Sequence, residues 1–436
     1  MARFHDVTVL TRANNRQGIG QALEPLRGQQ PLPEFLYHDL NPFLQRAKRY
    51  SRSIKLYYLL WQKSARELIQ RLHPEQRFDL LHHVTFAAFR YPSAIWGHGV
   101  PCVWGPVGGI ESVPTGLLPW RHPVSLVHEI LRNINNSLQT TSSRLLPKRA
   151  RATTLILAST PEMQQVFHKL GFSAELMPSI GLKTKEMSHR SRSANQGPLK
   201  LLFVGNIITL KGIDLAIDAL KASGTDATFT LFGSGNYVSE IKRRAKKAGL
   251  AERTIFGGRI PRQQMLERYP DYDVLIFPSL HDTGGYAVIE AMFNQLPVIC
   301  LDCGGPAATV QPGCGVKVAL GARPKRVAEL AEAIRRYDRD RQTMLAEGKA
   351  AREMVLNLFD WDKKGEQMNE LYLATVARHR AAEKELPSRS RYSGIRNVPN
   401  FLHRRFSPRK LAVHVSDVLL AAVGPCIFIS GFLCSG

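Results

Sequence analysis

Short apolar runs recur along this chain, each bounded by turn residues and most followed by a stretch with helical spacing. Val7-Thr8-Val9-Leu10 reads as a buried strand that runs into a polar turn through Thr11-Arg12-Ala13-Asn14-Asn15. Residues 42–72 read as one or two basic helices carrying Phe43, Tyr50, Leu56, Tyr57, Leu59, Leu60 and Trp61. That face either covers a sheet or meets a membrane surface. Strands are predicted at 79–84, 100–104 and 154–158, with a helix from Pro161, and residues 184–198 hold no apolar run and read as a linker. A second series follows, with strands at 200–204, 228–232, 253–256, 274–277 and 297–301. Helices are predicted between them at about 212–222, 237–249, 262–268 and 285–294, then at 325–336, 340–357 and 361–378. Strand, loop and helix alternating in this way predict two parallel α/β domains. No internal repeat is visible, which excludes solenoids and propellers.

Composition narrows the picture. At 436 residues the chain is too long for one compact core, and 44% apolar with 22% charged residues excludes a disordered chain. Six cysteines over this length are no disulfide framework. Met1-Ala2-Arg3-Phe4-His5-Asp6 contains no apolar h-region, so no secretory signal is expected. The net charge of +23 calls for an anionic partner: nucleic acid, a membrane surface or a phosphorylated substrate. Its distribution decides among them. Residues 41–75, 121–151, 183–200 and 381–436 hold +20 of the +23, which leaves 201–380 nearly neutral. A nucleic-acid binder usually concentrates charge in one folded module, so that reading ranks behind a membrane or lipid-linked partner. The segment 418–436 runs 19 residues without a charge, close to a bilayer span, and Lys/Arg cluster before it. Gly424, Pro425 and Gly431 weaken it as a straight helix, so a crossing and a re-entrant or interfacial segment both stay open.

The most specific chemistry lies in Phe277-Pro278-Ser279-Leu280-His281-Asp282-Thr283-Gly284-Gly285-Tyr286-Ala287-Val288-Ile289-Glu290. A strand ends at Phe277, a loop of small residues follows, and a helix starts near Gly284. The N–H groups of Gly284, Gly285 and Tyr286 then face out of a helix N-terminus, a ready-made phosphate site. Glu290 lies about two turns further on, where a carboxylate can accept both hydroxyls of a ribose. Upstream, Gly205-Asn206 and Lys211-Gly212 form a strand end, a glycine turn and a lysine before a helix. Both segments come from strand C-terminal ends, where ligands of open α/β sheets bind.

These residues resemble the retaining glycosyltransferases of the GT-B class, of the family usually called family 4, over about residues 5–378. Asp282 to Glu290 corresponds to the Glu-x7-Glu signature, with Asp for the first Glu, and Gly205-Asn206…Lys211-Gly212 to Gly-Arg-x4-Lys-Gly, with Asn for Arg. Leu301-Asp302-Cys303-Gly304-Gly305-Pro306 and Phe359-Asp360-Trp361 also resemble that family. The resemblance implies two Rossmann-like domains facing a cleft. An acceptor-side domain would cover 1–183, a linker 184–198 and a nucleotide-sugar domain 199–358. A helix over 359–380 would cross back to the first domain, and a basic tail over 381–436 would hold the apolar segment. The N-terminal domain is expected to lack its first strand and Gly-rich turn.

The implied activity is hexosyl transfer from a UDP- or GDP-sugar to a saccharide or lipid-linked saccharide, in polysaccharide or glycolipid synthesis, without a metal or other cofactor. Gly205, Asn206, Lys211, Thr283, Gly284, Gly285, Tyr286 and Glu290 would bind the donor, and Asp282 would touch its sugar. His82-His83 ends a strand of the first domain. His83 is the favoured catalytic histidine, and His82, Gly108 and Gly109 would line the acceptor side. The protein is expected in the cytoplasm, peripheral to or C-terminally anchored at the inner face of the membrane. A catalytically impaired relative acting as a binding or scaffold protein is the alternative. Asp271-Tyr272-Asp273 precedes a strand and reads as a turn. Cys300-x-x-Cys303 lies at a strand end with only Cys314 nearby, a poor zinc or redox site.

Overall fold

The computed structural model describes residues 1–45, 54–84, 88–110, 123–187, 190, 196–282, 284–385 and 410–414. They form two compact units. One comprises Met1–Gly105, Pro147–Leu157 and the described part of Gly365–Gly436, and the other comprises Pro106–Leu146 and Ala158–Lys364.

Two parallel sheets organise the chain. The first contains β1 (Asp6–Thr11), β2 (Glu34–Tyr37), β3 (Leu80–His83), β4 (Cys102–Val107), β5 (Leu155–Ala158) and β6 (Glu175–Leu176). The second contains β7 (Lys200–Val204), β8 (Thr228–Phe232), β9 (Thr254–Gly258), β10 (Val274–Phe277), β11 (Val298–Leu301) and β12 (Gly315–Val318). The last strand, β13 (Lys410–His414), belongs to the first sheet, whose order is β2-β1-β13-β3-β4-β5-β6. The second sheet runs β12-β11-β10-β7-β8-β9.

In the first unit, the helix Ile54–Gln76 turns Tyr57, Trp61, Ala65 and Ile69 onto Leu10, Leu81, Phe78 and Cys102. Those positions repeat at three- and four-residue spacing, which places them on one helix face. The Trp61 indole N–H donates to the His38 carbonyl at 2.8 Å, so its polar edge is satisfied in the core. Of the two readings for this segment, Tyr57 and Trp61 follow the sheet-covering one, while Phe43, Leu56 and Leu59 stay exposed. Tyr50 lies outside the described residues.

The position of β13 is the main departure from the sequence reading. Lys410–His414, read as part of a basic tail, instead pairs in parallel with β1 on one side and β3 on the other. Asp6 faces Lys410 and Leu10 faces His414 in one register, while Leu80 faces Leu411 and His83 faces His414 in the other. The first unit, expected to lack a strand, therefore receives a central one from more than 300 residues downstream. Five residues within a polar stretch carry too little pattern to announce a strand. Both flanking strands need a partner, and that need supplies the driving force.

The second unit holds the larger core. Its strands KLLFV, TFTLF, VLIF and VICL are near-continuous apolar runs, as expected for parallel strands covered on both faces. The helices around them are Ile213–Ser223, Val238–Lys247, Arg262–Arg268, Tyr286–Phe293, Gly304–Thr309, Arg323–Arg339 and Arg341–Leu358. Asp340 caps the last of these by accepting from the Thr343 amide at 2.9 Å. Asp273, from the turn Asp271-Tyr272-Asp273, is buried and accepts from the Lys200 amide at 2.9 Å, which fixes it as a link between β7 and β10. Cys300, Cys303 and Cys314 are buried free thiols, and burial pushes the Cys300 thiol far up. Among the described residues, no helix is long and apolar enough to cross a membrane, and 418–436 lies outside them.

Candidate functional site

The strand order of the second sheet reverses between β7 and β10. From β7 the chain builds outward through β8 and β9, and from β10 it builds the other way through β11 and β12. Such a switch point opens a crevice at the strand C-terminal ends. The two loops singled out in the sequence leave from these two strands.

The loops are packed backbone to backbone. The Leu280 amide donates to the Leu210 carbonyl at 2.9 Å. Gly212 has φ +61°, and a Cβ there would stand 2.1 Å from the Pro278 carbonyl oxygen, so only glycine permits this approach. A third loop closes in from β11: a Cβ on Gly304 would stand 2.4 Å from the Asp282 carbonyl oxygen, and the Gly305 amide donates to that oxygen at 2.7 Å. The Glu162 carboxylate accepts from the Gly304 amide at 2.8 Å.

This packing sets Lys211 against Asp282. Its ammonium donates to Oδ2 at 2.5 Å, and the lysine lies 5.4 Å from the centroid of the Phe277 ring. The other oxygen, Oδ1, accepts from the amides of Gly284 at 3.1 Å and Gly285 at 2.9 Å. The helix Tyr286–Phe293 starts immediately after, with Gly285 in the left-handed region as its N-cap. The anion-binding groups expected here are therefore assembled, and an aspartate of the protein itself fills them. Gly205 ends β7 with its amide donating to Phe232, and Asn206 beside it is exposed. Thr283 lies outside the described residues.

Glu290 is buried about one turn into the helix. Its Oε1 accepts from Nε of Arg262 at 2.6 Å, and its Oε2 accepts from the Tyr269 hydroxyl at 3.0 Å. Burial raises the Glu290 pKa, opposed by the Arg262 charge and by both hydrogen bonds. No local sequence signal marks Arg262 or Tyr269 as a partner of Glu290. Neither belongs to a motif, and both reach Glu290 from the segment after β9, a strand separated from β10 by β7 and β8 in the sheet.

The histidine pair of β3 divides. His82 is buried with both ring nitrogens engaged: Nε2 donates to the Gly105 carbonyl at 2.8 Å and Nδ1 accepts from the Tyr372 hydroxyl at 2.5 Å. Burial pushes its pKa down to about 4, so the ring is neutral. His83 is buried as well, with Nε2 hydrogen-bonded to the Tyr58 hydroxyl at 3.0 Å. These bonds give His82 a holding role between β3, β4 and the helix Trp361–Glu385. In the second unit, Gly108 is buried just past β4, and Gly109 follows with φ +89°.

Two parallel sheets covered by helices form an α/β architecture of the GT-B glycosyltransferase class, as the solved structures of like fold show. Among solved structures the chain resembles sucrose-phosphate synthase of Thermosynechococcus elongatus, with TM-score 0.55 and 17% identity over 86% of this chain and 100% of that one. It also resembles HepE of Anabaena, crystallised with UDP, with TM-score 0.51 and 16% identity over 85% and 100%. At such identities the likeness is one of fold.

Residues 184–354 match the family described as glycosyl transferases group 1. Among curated proteins, 2-deoxystreptamine glucosyltransferase of Streptomyces kanamyceticus is 32% identical over 189 residues, 43% of this chain and 47% of that protein. Glycogen synthase of Mycobacterium tuberculosis is 26% identical over 210 residues, 48% of this chain and 50% of that protein. The chain thus spans about half the length of these relatives.

Proposed function

We propose that this protein is a retaining glycosyltransferase that moves a sugar from a nucleotide-sugar to a saccharide or lipid-linked saccharide, in polysaccharide or glycolipid synthesis. The observation that carries the reading is the meeting of Lys211 with the Gly284 and Gly285 amides, through Asp282, at the β7/β10 switch point, with Glu290 on the helix that follows. An ammonium beside two amides at a helix N-terminus suits a diphosphate. In transfer, the bond from the sugar's anomeric carbon to the diphosphate oxygen breaks and a bond to the acceptor oxygen forms. The acceptor proton leaves with the diphosphate. Negative charge grows on the leaving diphosphate, and Lys211 with these amides would stabilise it there, a role that a metal serves in other transferases. Glu290, oriented by Arg262 and Tyr269, would take the ribose hydroxyls, and His83 is the proposed catalytic histidine. HepE, of like fold, was crystallised with UDP, and a further relative is a GDP-mannose-dependent mannosyltransferase acting on a phosphatidylinositol monomannoside, so UDP and GDP are the proposed nucleotides, with ADP as the comparison. Titration with the sugars of all three tests the reading. A melting-temperature rise with one of them, and transfer activity lost in Lys211→Ala and Glu290→Ala, is the expected result. No rise with any would overturn the donor assignment.

Membrane association at the cytoplasmic face is the second part of the proposal. Its support is the helix Pro123–Ser137, whose Leu126 and Ile130 pack on the core of the second unit while Val127, Leu131 and Ile134, and Leu138 just past its end, are each more than half exposed. A helix with an exposed apolar stripe in a segment of net charge +5 suits an anionic bilayer surface. Cosedimentation with phosphatidylglycerol vesicles that weakens in Leu131→Glu is expected. Equal binding by that variant would remove the stripe from the reading, and salt-sensitive DNA binding that ignores nucleotide-sugars would replace the membrane with nucleic acid.

A further inference from the structure

We propose that Asp282 is a displaceable plug of the diphosphate site, and that donor binding is an exchange in which the diphosphate takes the place of its carboxylate. The inference rests on the donor-site reading above. Three observations carry it. The Asp282 carboxylate engages the same groups a diphosphate would: Oδ2 is on the Lys211 ammonium at 2.5 Å, and Oδ1 is on the consecutive amides of Gly284 and Gly285 at 3.1 and 2.9 Å. A carboxylate and a phosphate ask for the same donors, so the two compete for one set.

The main chain of Asp282 is fixed independently of its side chain. Its carbonyl accepts from Gly305 at 2.7 Å and stands where a Cβ on Gly304 could not. The carboxylate can therefore leave by side-chain rotation alone, with the loop left in place.

Both partners of the ion pair are partly open, at 17% and 16% side-chain exposure, so an incoming anion can reach them. With the plug in, the Lys211 charge is compensated in the resting protein. With the plug out, the freed carboxylate is available to the hydroxyls of the donor sugar, the role that the family resemblance implies for Asp282. Exchange also lowers affinity for any anion too weak to displace the carboxylate, a selection for diphosphates over single phosphates.

Calorimetric titration of the full chain with inorganic pyrophosphate, and separately with UDP, GDP and ADP, tests the plug. Asp282→Asn is expected to bind pyrophosphate at least ten-fold tighter than the wild type, and Asp282→Asn with Lys211→Ala is expected to lose that gain. A single variant that binds no tighter overturns the proposal. A gain that survives in the double variant overturns it too, because the effect would then be one of overall charge. On the wild type, the amide NMR signals of Gly284 and Gly285 should shift on adding pyrophosphate, and unchanged signals overturn the exchange without reliance on any variant. If Asp282→Asn gains pyrophosphate affinity through Lys211 while no form binds a nucleotide, the donor reading fails and the plug stands. If no form binds pyrophosphate, the plug falls.

Discussion

The Tyr372 hydroxyl donates to Nδ1 of His82, joining residues 290 positions apart, and the same ring donates through Nε2 to the Gly105 carbonyl. The ring is a neutral strut between two strands and a helix. Its pKa of about 4 lies below the ordinary value of 6.5, so between those pH values the unfolded chain binds a proton that the folded protein refuses. Stability is therefore fully present above pH 6.5 and falls as the pH drops toward 4, by up to about 3 kcal/mol. In His82→Phe that pH dependence should largely vanish, with lower stability at pH 7 because the Gly105 carbonyl and the Tyr372 hydroxyl lose their partner. Urea unfolding at pH 4.5, 5.5 and 7 measures it, and an unchanged slope against pH would show that His82 is not the group responsible.

Lys364 offers the opposite window. Its ammonium is buried and donates to the Pro178 carbonyl at 2.8 Å, and burial lowers its pKa from 10.5 to about 8. Below pH 8 both folded and unfolded forms carry the proton, and the cost of burying the charge is fully present. As the pH rises from 8 to 10.5 the folded form sheds the proton first, so stability should increase by up to about 3 kcal/mol from this group. Lys364→Met keeps the stem and removes the charge. Its melting temperature should exceed that of the wild type at pH 7 and lack the alkaline gain.

Arg262 and Tyr269 hold the carboxylate of Glu290 from two sides, at 2.6 and 3.0 Å. Under the donor reading they are positioning residues. Tyr269→Phe should lower transfer activity about ten-fold with little change in melting temperature, whereas Lys211→Ala should lower kcat by about 100-fold or more, since it removes charge stabilisation of the leaving group. Steady-state kinetics with the identified donor separates them: equal losses in both variants would count against the division of roles.

The strand β13 yields a prediction about the fold. A chain ending at residue 385 would leave the facing edges of β1 and β3 without the partner seen here. Hydrogen exchange over residues 6–11 and 80–83 should accelerate by orders of magnitude, while residues 200–204 and 274–277 keep their protection. A synthetic peptide covering residues 406–418 should restore protection in the first sheet. Unchanged exchange in the truncated chain would mean that β13 adds nothing to the unit.

Much of the second unit was legible because its local signals agree with its fold. Strands such as VLIF and VICL are apolar throughout, and turn residues separate them at regular intervals. The glycines that the loops require are visible as letters, and the Lys211, Asp282 and Glu290 positions stand at fixed spacings from them. The short strands Glu34–Tyr37 and Glu175–Leu176 are not legible in the sequence, since two to four residues carry no period that composition can distinguish from a loop.

The sequence by itself determined the α/β class, the alternation of strands and helices, and the glycine-rich loops at two strand ends, because each depends on residues close together in the chain. Tertiary structure alone decided three matters. It gave Asp282 the site expected for a diphosphate, it joined Glu290 to Arg262 and Tyr269, and it drew β13 between β1 and β3. Each is a pairing between distant segments, set by which backbone edges and charges remain unsatisfied once the local elements have formed. No window of the sequence contains both partners of such a pair.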